Sequence, residues 1–158
     1  MLDTRPLLLR TDFPAISRAF LEVMQVNLGY KCNLSCTHCH VNAGPNRTEQ
    51  MNDENIESVL NYIFRNDIKI LDLTGGAPEL NPHFKYLVKQ ARRKGVEVID
   101  RCNLTILNEA GFEDMAEFLA EQGVTITASL PCYIPQNVEK QRGKGVYGES
   151  IEVLKRLN

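Results

Sequence analysis

Cys32, Cys36 and Cys39 stand at a C-x₃-C-x₂-C spacing inside Tyr30-Lys31-Cys32-Asn33-Leu34-Ser35-Cys36-Thr37-His38-Cys39-His40. Thiolates are soft ligands, and clustered thiolates select iron–sulfur clusters, zinc or copper(I). One short loop at this spacing can wrap a single metal centre. Three cysteines leave one position of a four-ligand iron–sulfur cluster open to another molecule. They also suit a structural zinc completed by His38 or His40. A second feature is Gly75-Gly76, since glycine lets backbone approach a neighbour closely. Two more cysteines, Cys102 and Cys132, complete the five in the chain.

These residues need elements to carry them, and the chain reads as alternating strands and helices. Residues 1–23 read as a leader, with a short helix near Pro14 to Leu21 on the spacing of Ile16, Phe20 and Leu21. Residues 24–158 read as one core domain. Met24, Val26 and Leu28 alternate with Gln25 and Asn27, the period of a strand with two unlike faces. After the cysteine loop, Asn52 is a candidate cap with Asp53 and Glu54 in the first turn, and Ile56, Val59, Leu60, Ile63 and Phe64 make an apolar stripe. A second strand near Lys69 to Thr74 runs into the glycine pair. Asn81-Pro82 reads as a helix start, with Phe84, Leu87, Val88 and Ala91 inside and Gly95 at the end. A third strand near Val96 to Asp100 precedes a helix with Asn108 as candidate cap. A fourth runs from Val124 to Leu130, then a loop from Pro131 to Gly148 and a last helix near Glu149 to Leu157.

Strands alternating with helices imply parallel strands joined by right-handed crossovers. Thr125, Thr127 and Ser129 share one face of the fourth strand, and Gln25 with Asn27 and Asp72 with Thr74 repeat the split. One apolar face under helices and one polar face suit a barrel whose interior holds a polar ligand. The binding loops of such folds follow the carboxyl ends of the strands. The cysteine loop, Gly75-Gly76, the turn from Asp100 to Asn103 and the turn from Ser129 to Tyr133 all lie there.

Composition narrows the setting. There are 18 Lys and Arg against 20 Asp and Glu, so no basic face for nucleic acid is expected. No apolar run reaches the roughly 20 residues of a membrane helix, and the N-terminus does not read as a signal peptide. The expected compartment is the cytoplasm, where cysteines serve metal binding or catalysis more than disulfides.

The cysteine spacing after a first strand, with Gly75-Gly76 after a second, resembles the radical S-adenosylmethionine (SAM) superfamily. The resemblance implies a 4Fe-4S cluster on Cys32, Cys36 and Cys39, with SAM chelating the fourth iron. It implies reductive cleavage of SAM to a 5′-deoxyadenosyl radical, with a flavodoxin or ferredoxin as reductant. It implies a partial (β/α) TIM-like barrel of about four parallel strand–helix units, truncated before the last strands. By the same resemblance Gly75, Gly76 and Thr74 lie beside the methionine amino group, with Glu79 as another candidate contact. The family's usual glutamate after the glycines is Ala77 here. Asn103 and Ser129 fall where polar residues reach SAM, Arg142 where a basic residue pairs its carboxylate, and His38 beside adenine.

Further phrases narrow the resemblance: Asn27-Leu28-Gly29-Tyr30-Lys31-Cys32-Asn33, His38 through Glu49, Leu73-Thr74-Gly75-Gly76-Ala77-Pro78-Glu79-Leu80 and Ser129-Leu130-Pro131-Cys132-Tyr133. They look like the arsenosugar biosynthesis radical SAM (radical SAM/Cys-rich) proteins, whose C-terminal strands and cysteine-rich domain are not in this chain. That family is thought to add the deoxyadenosyl group to a dimethylated arsenic(III) substrate such as dimethylarsenite. Cys102 and Cys132 are then candidate thiol contacts for the substrate. The alternatives are a radical SAM modifier that abstracts hydrogen from a peptide or small molecule, an inactive cluster-binding fragment, and a zinc-binding module.

Overall fold

The computed structural model describes residues 3–12, 14, 17 and 19–158. Four strands, β1 (Val23–Asn27), β2 (Ile70–Thr74), β3 (Glu97–Asp100) and β4 (Thr125–Ile126), form one parallel sheet in that order. The register sets two rows. Val26, Leu73, Asp100 and Ile126 align across the strands, and Gln25, Asp72, Ile99 and Thr125 form the adjacent row. The first row faces the helices and is apolar apart from Asp100. The second belongs to the polar concave face expected of a barrel interior.

Helix α1 (Arg5–Leu8) precedes the sheet. Helix α2 (Asp53–Arg65) starts where Asn52 accepts a hydrogen bond from the Asn55 amide, and buries Ile56, Val59, Leu60 and Ile63. Helix α3 (Phe84–Arg93) buries Phe84, Leu87, Val88 and Ala91; helix α4 (Met115–Glu121) buries Met115, Phe118 and Leu119. Each of these side chains larger than alanine contributes about 1.5–3 kcal/mol when removed from water. Helices α5 (Pro135–Arg142) and α6 (Val146–Leu157) close the chain.

Several boundaries differ from expectation. The helix expected over Pro14 to Leu21 falls partly on residues 13, 15, 16 and 18, including Ile16, outside the described residues. Phe20 and Leu21 are non-helical and exposed. The N-cap of α3 is His83 rather than Asn81, whose side-chain oxygen accepts from the His83 amide (2.8 Å) in the turn before the helix. The buried Asn81 side chain donates to Leu28 O (3.0 Å) and Met51 O (2.9 Å), tying the end of β1 to the entry of α2. Asn108 ends a 3₁₀ turn at Thr105–Asn108, and α4 begins only at Met115. Phe64 is exposed. The expected loop after β4 contains α5, which buries only Val138 and Arg142 and so has no apolar stripe to betray it. β4 is short as a ladder, yet the chain beyond it keeps pairing: Thr127 donates to Asp100 O and Ser129 to Cys102 O.

Candidate metal centre

The cysteine loop leaves β1 and returns to α2 along a backbone frame. Cys32 N donates to Gly44 O, Gly44 N to Tyr30 O, and Tyr30 N to Glu49 O. Arg47 clasps the return: it bonds Asn42 O (2.6 Å), pairs with Glu49, and lies 4.8 Å over the Tyr30 ring. The glycine pair seats this loop. Gly76 N donates to Gly29 O and Ala77 N to Lys31 O. A Cβ on Gly76 would collide with Lys31 O, and one on Gly75 (φ 146°) would sit 2.7 Å from Gly29 O. The close approach these glycines allow is therefore, first of all, that of the cysteine loop's own backbone. On the far side, Thr37 N donates to Gln141 O of α5 (2.9 Å).

The three thiols line one cavity of about 730 Å³, together with Thr74, Gly75, Gly76, Asn103, Ser129, Arg142, His38 and His40. The sequence thus places its chosen residues in one place. Burial pushes the Cys32 thiol up, against the Leu34 amide and the Asn103 side chain, which both bond its sulfur at 3.5 Å. Burial also raises Cys36, with the Arg142 guanidinium acting against it. Ala43 N bonds the Cys39 sulfur at 3.3 Å. Such N–H···S contacts stabilise thiolate and tune the potential of a cluster.

The donor set decides between metals. In a tetrahedral zinc site with Zn–S bonds of about 2.3 Å, the thiolates stand roughly 3.8 Å apart. Among the described residues, the set of three ligand atoms lying within 4.8 Å of one another is Glu79, Asp100 and Cys102, so the loop thiols are spread wider. Neither His38 nor His40 closes a compact set with them. Three thiols spread around one open cavity fit a multi-iron cluster rather than one closed zinc.

Arg142 is buried, and its guanidinium bonds Ser129 O (2.5 Å) and Ser129 Oγ (2.6 Å), while its Nε has no partner. Among the described residues it has no carboxylate partner within 4.0 Å. A buried guanidinium without a counter-charge suits a planar anion. Asn103 is more committed than expected: its amide bonds Cys32 and Asn33 on one side and Ile106 N and Thr105 Oγ1 on the other. It splices the cysteine loop to the turn after β3. On the cavity wall, Arg101 forms a bidentate pair with Asp72 (2.8 Å each), which also accepts from Gln25. Chain periodicity marks Arg101 as a neighbour of Asp72 across two polar rows, and no motif singles it out.

Three expected residues, Cys102, Glu79 and Cys132, are elsewhere. Cys102 is fully buried, does not line the cavity, and sits with Glu79 and Asp100 on the helix side of the sheet. Glu79 likewise faces away, so it makes no amino-group contact in the cavity. The cause is strand alternation: Asp100 and Cys102 project opposite to Arg101 and Asn103. Cys132 lies beyond Pro131, outside the cavity lining, where the Ile134 amide (3.4 Å) and then Asn137 (3.6 Å) lower its thiol below the ordinary value.

Comparison with known proteins bears on the family and the fold. The family described as the Radical SAM superfamily matches residues 26–158. The subtilosin biosynthesis protein AlbA of Bacillus subtilis is 22% identical over 93% of this chain and 32% of its own length. The mycofactocin maturase MftC of Mycobacterium ulcerans is 25% identical over 82% of the chain and 34% of its own. The chain thus spans about a third of the length of these relatives. The crystal structure of Streptococcus suis SuiB bound to S-adenosylmethionine superposes with a TM-score of 0.71 at 16% identity, covering 87% of this chain and 31% of that one, which shows the fold. Among the described residues, no helix is long and apolar enough to cross a membrane.

Proposed function

Because the chain belongs to the radical SAM superfamily, we propose that Cys32, Cys36 and Cys39 hold a 4Fe-4S cluster and that the whole protein is an enzyme that cleaves SAM. The observation that carries this is the convergence on one cavity of the three thiols and of the Arg142 guanidinium, which among the described residues has no carboxylate partner. Bound there, the cluster and SAM would supply an electron and a 5′-deoxyadenosyl radical. The chain's own residues do the rest. Arg142, braced by Ser129, holds the methionine carboxylate. Thr74 and the Gly75-Gly76 backbone border the amino group, Asn103 fixes the cluster loop, and His38 borders adenine at the open side. Gln25 and Arg101, both held by Asp72, face the substrate.

The substrate is a peptide or small molecule. The finer reading, a dimethylated arsenic(III) compound that accepts the adenosyl group, rests on the phrases around the loop and on Cys132, whose thiol is lowered and which follows the cavity-lining Pro131 in the chain. It is tested by reconstituting the full-length protein anaerobically, reducing it with SAM and dimethylarsenite, and reading products by mass spectrometry. An adenosyl–arsenic adduct is the expected product. Free 5′-deoxyadenosine alone points to hydrogen abstraction from another substrate, and intact SAM with a bound cluster overturns the enzymatic reading.

A further inference from the structure

Asp100 is the acidic residue in an otherwise apolar row of the sheet, between Leu73 and Ile126. Its side chain is fully buried on the helix side, where the register calls for an aliphatic residue. There it meets Glu79, from the 3₁₀ turn Pro78–Leu80, and Cys102, also buried, with all three ligand atoms within 4.8 Å. None of the four carboxylate oxygens has a hydrogen-bond donor, and among the described residues neither acid has an ion-pair partner. The nearest cation in sequence, Arg101, points to the other face and is committed to Asp72.

Two bare carboxylates cannot persist side by side in an apolar interior. Something between them must be positive, and a proton is the smallest candidate. We propose that Glu79, Asp100 and Cys102 form a buried proton-holding site, in which Asp100 keeps its proton and gives that hydrogen bond to the Glu79 carboxylate, and Cys102 gives it the thiol hydrogen. Glu79 is the hub of the proposed arrangement: burial raises its carboxyl as well, and a hydrogen bond from Cys102 and one from Asp100 are what would act against that. The set carries two protons and one negative charge. Burial first, and then Glu79, pushes Asp100 well above the ordinary carboxylate range; burial and both acids keep Cys102 a thiol. The sulfur also accepts from the Leu104 amide at 3.2 Å, so each hydrogen-bonding element of the thiol has a role.

The site has two consequences. It pins the segment after Gly75-Gly76 to the end of β3, and that segment carries the cysteine loop through Ala77 N and Gly76 N. It also sets one fixed negative charge behind Cys32, whose thiol already feels Glu79. A negative charge near a cluster opposes the arrival of an electron, so Glu79 acts as a positioning residue that lowers the cluster's potential. That second consequence rests on the cluster reading above; the proton site does not.

Infrared spectroscopy tests the site on the cluster-free full-length protein at neutral pH. The carbonyl band of a buried protonated carboxyl is expected, and Asp100→Asn is expected to remove it while the fold survives, because the amide can donate to Glu79 in place of the acid. No such band in the wild type, or a band that persists in Asp100→Asn, overturns the proposal. So does a stoichiometric non-iron metal that Cys102→Ala releases, which would make the trio a cation site. In the reconstituted protein, Glu79→Gln shifts the cluster midpoint potential to more positive values and Asp100→Asn leaves it near the wild type. Equal shifts in both variants, or none in a loaded Glu79→Gln protein, overturn the charge assignment.

Discussion

At the residue scale, the thiols and the glycines are one device seen from two sides. C-x₃-C-x₂-C names the ligands, and Gly76 decides whether they can be brought to one place. Because a Cβ there meets backbone rather than a movable side chain, the loop itself must shift. Gly76→Ala is therefore expected to cost about 1–3 kcal/mol by overpacking and to cut iron and sulfide incorporation on anaerobic reconstitution severalfold. Circular dichroism should show the helices retained. Motif reading chose Cys32, Cys36, Cys39, Gly75, Gly76, Ser129 and Arg142, each type having one evident use at its place, and the fold brings them to one cavity. The same reading misplaced Cys102 and Glu79, because a residue just past a strand end can face either side, and only the register settles which.

At the scale of elements, periodicity located what is amphipathic and lost what is not. Helices α2 and α3 carry wide apolar stripes, and both were legible. Helix α5 is polar nearly all round; its buried Arg142 serves the cavity rather than a core. Asn81 shows a similar limit: an Asn-Pro pair reads as a helix start, and its side-chain oxygen does serve the turn into α3, whereas nothing in the pair announces that its amide stitches two other elements together. Removing it leaves Met51 O short of a donor and Leu28 O with only the Met51 amide. Asn81→Ala is expected to lower unfolding free energy by about 1–3 kcal/mol. The urea midpoint should fall with the slope unchanged, as for a loss of contacts without a change in exposed surface.

At the scale of the whole molecule, the polar and apolar faces of one sheet divide the acid groups by sign of effect. Asp72 lies on the polar face, and the Arg101 guanidinium holds its carboxyl below the ordinary value. Its folded value lies under its unfolded one, so its contribution is present above about pH 4 and is lost as pH falls through the folded value. Asp100 does the reverse: its folded value is raised, so the unfolded chain releases the proton first and stability declines as pH climbs above about 4. The two together predict a stability maximum on the acid side of neutrality. Asp72→Asn should flatten the limb below that maximum and Asp100→Asn the limb above it, read from urea midpoints across pH.

The hydrogen bond from Thr37 to the end of α5 also sets a clock on biosynthesis. Its partner Gln141 lies 104 residues downstream. At roughly 5–20 residues per second, a ribosome takes on the order of 5–20 s to deliver it. For that interval the thiols of the loop have left the ribosome but lack the wall that will enclose them. The nascent chain is thus most open to oxidants, and to whatever delivers iron and sulfide, before α5 exists.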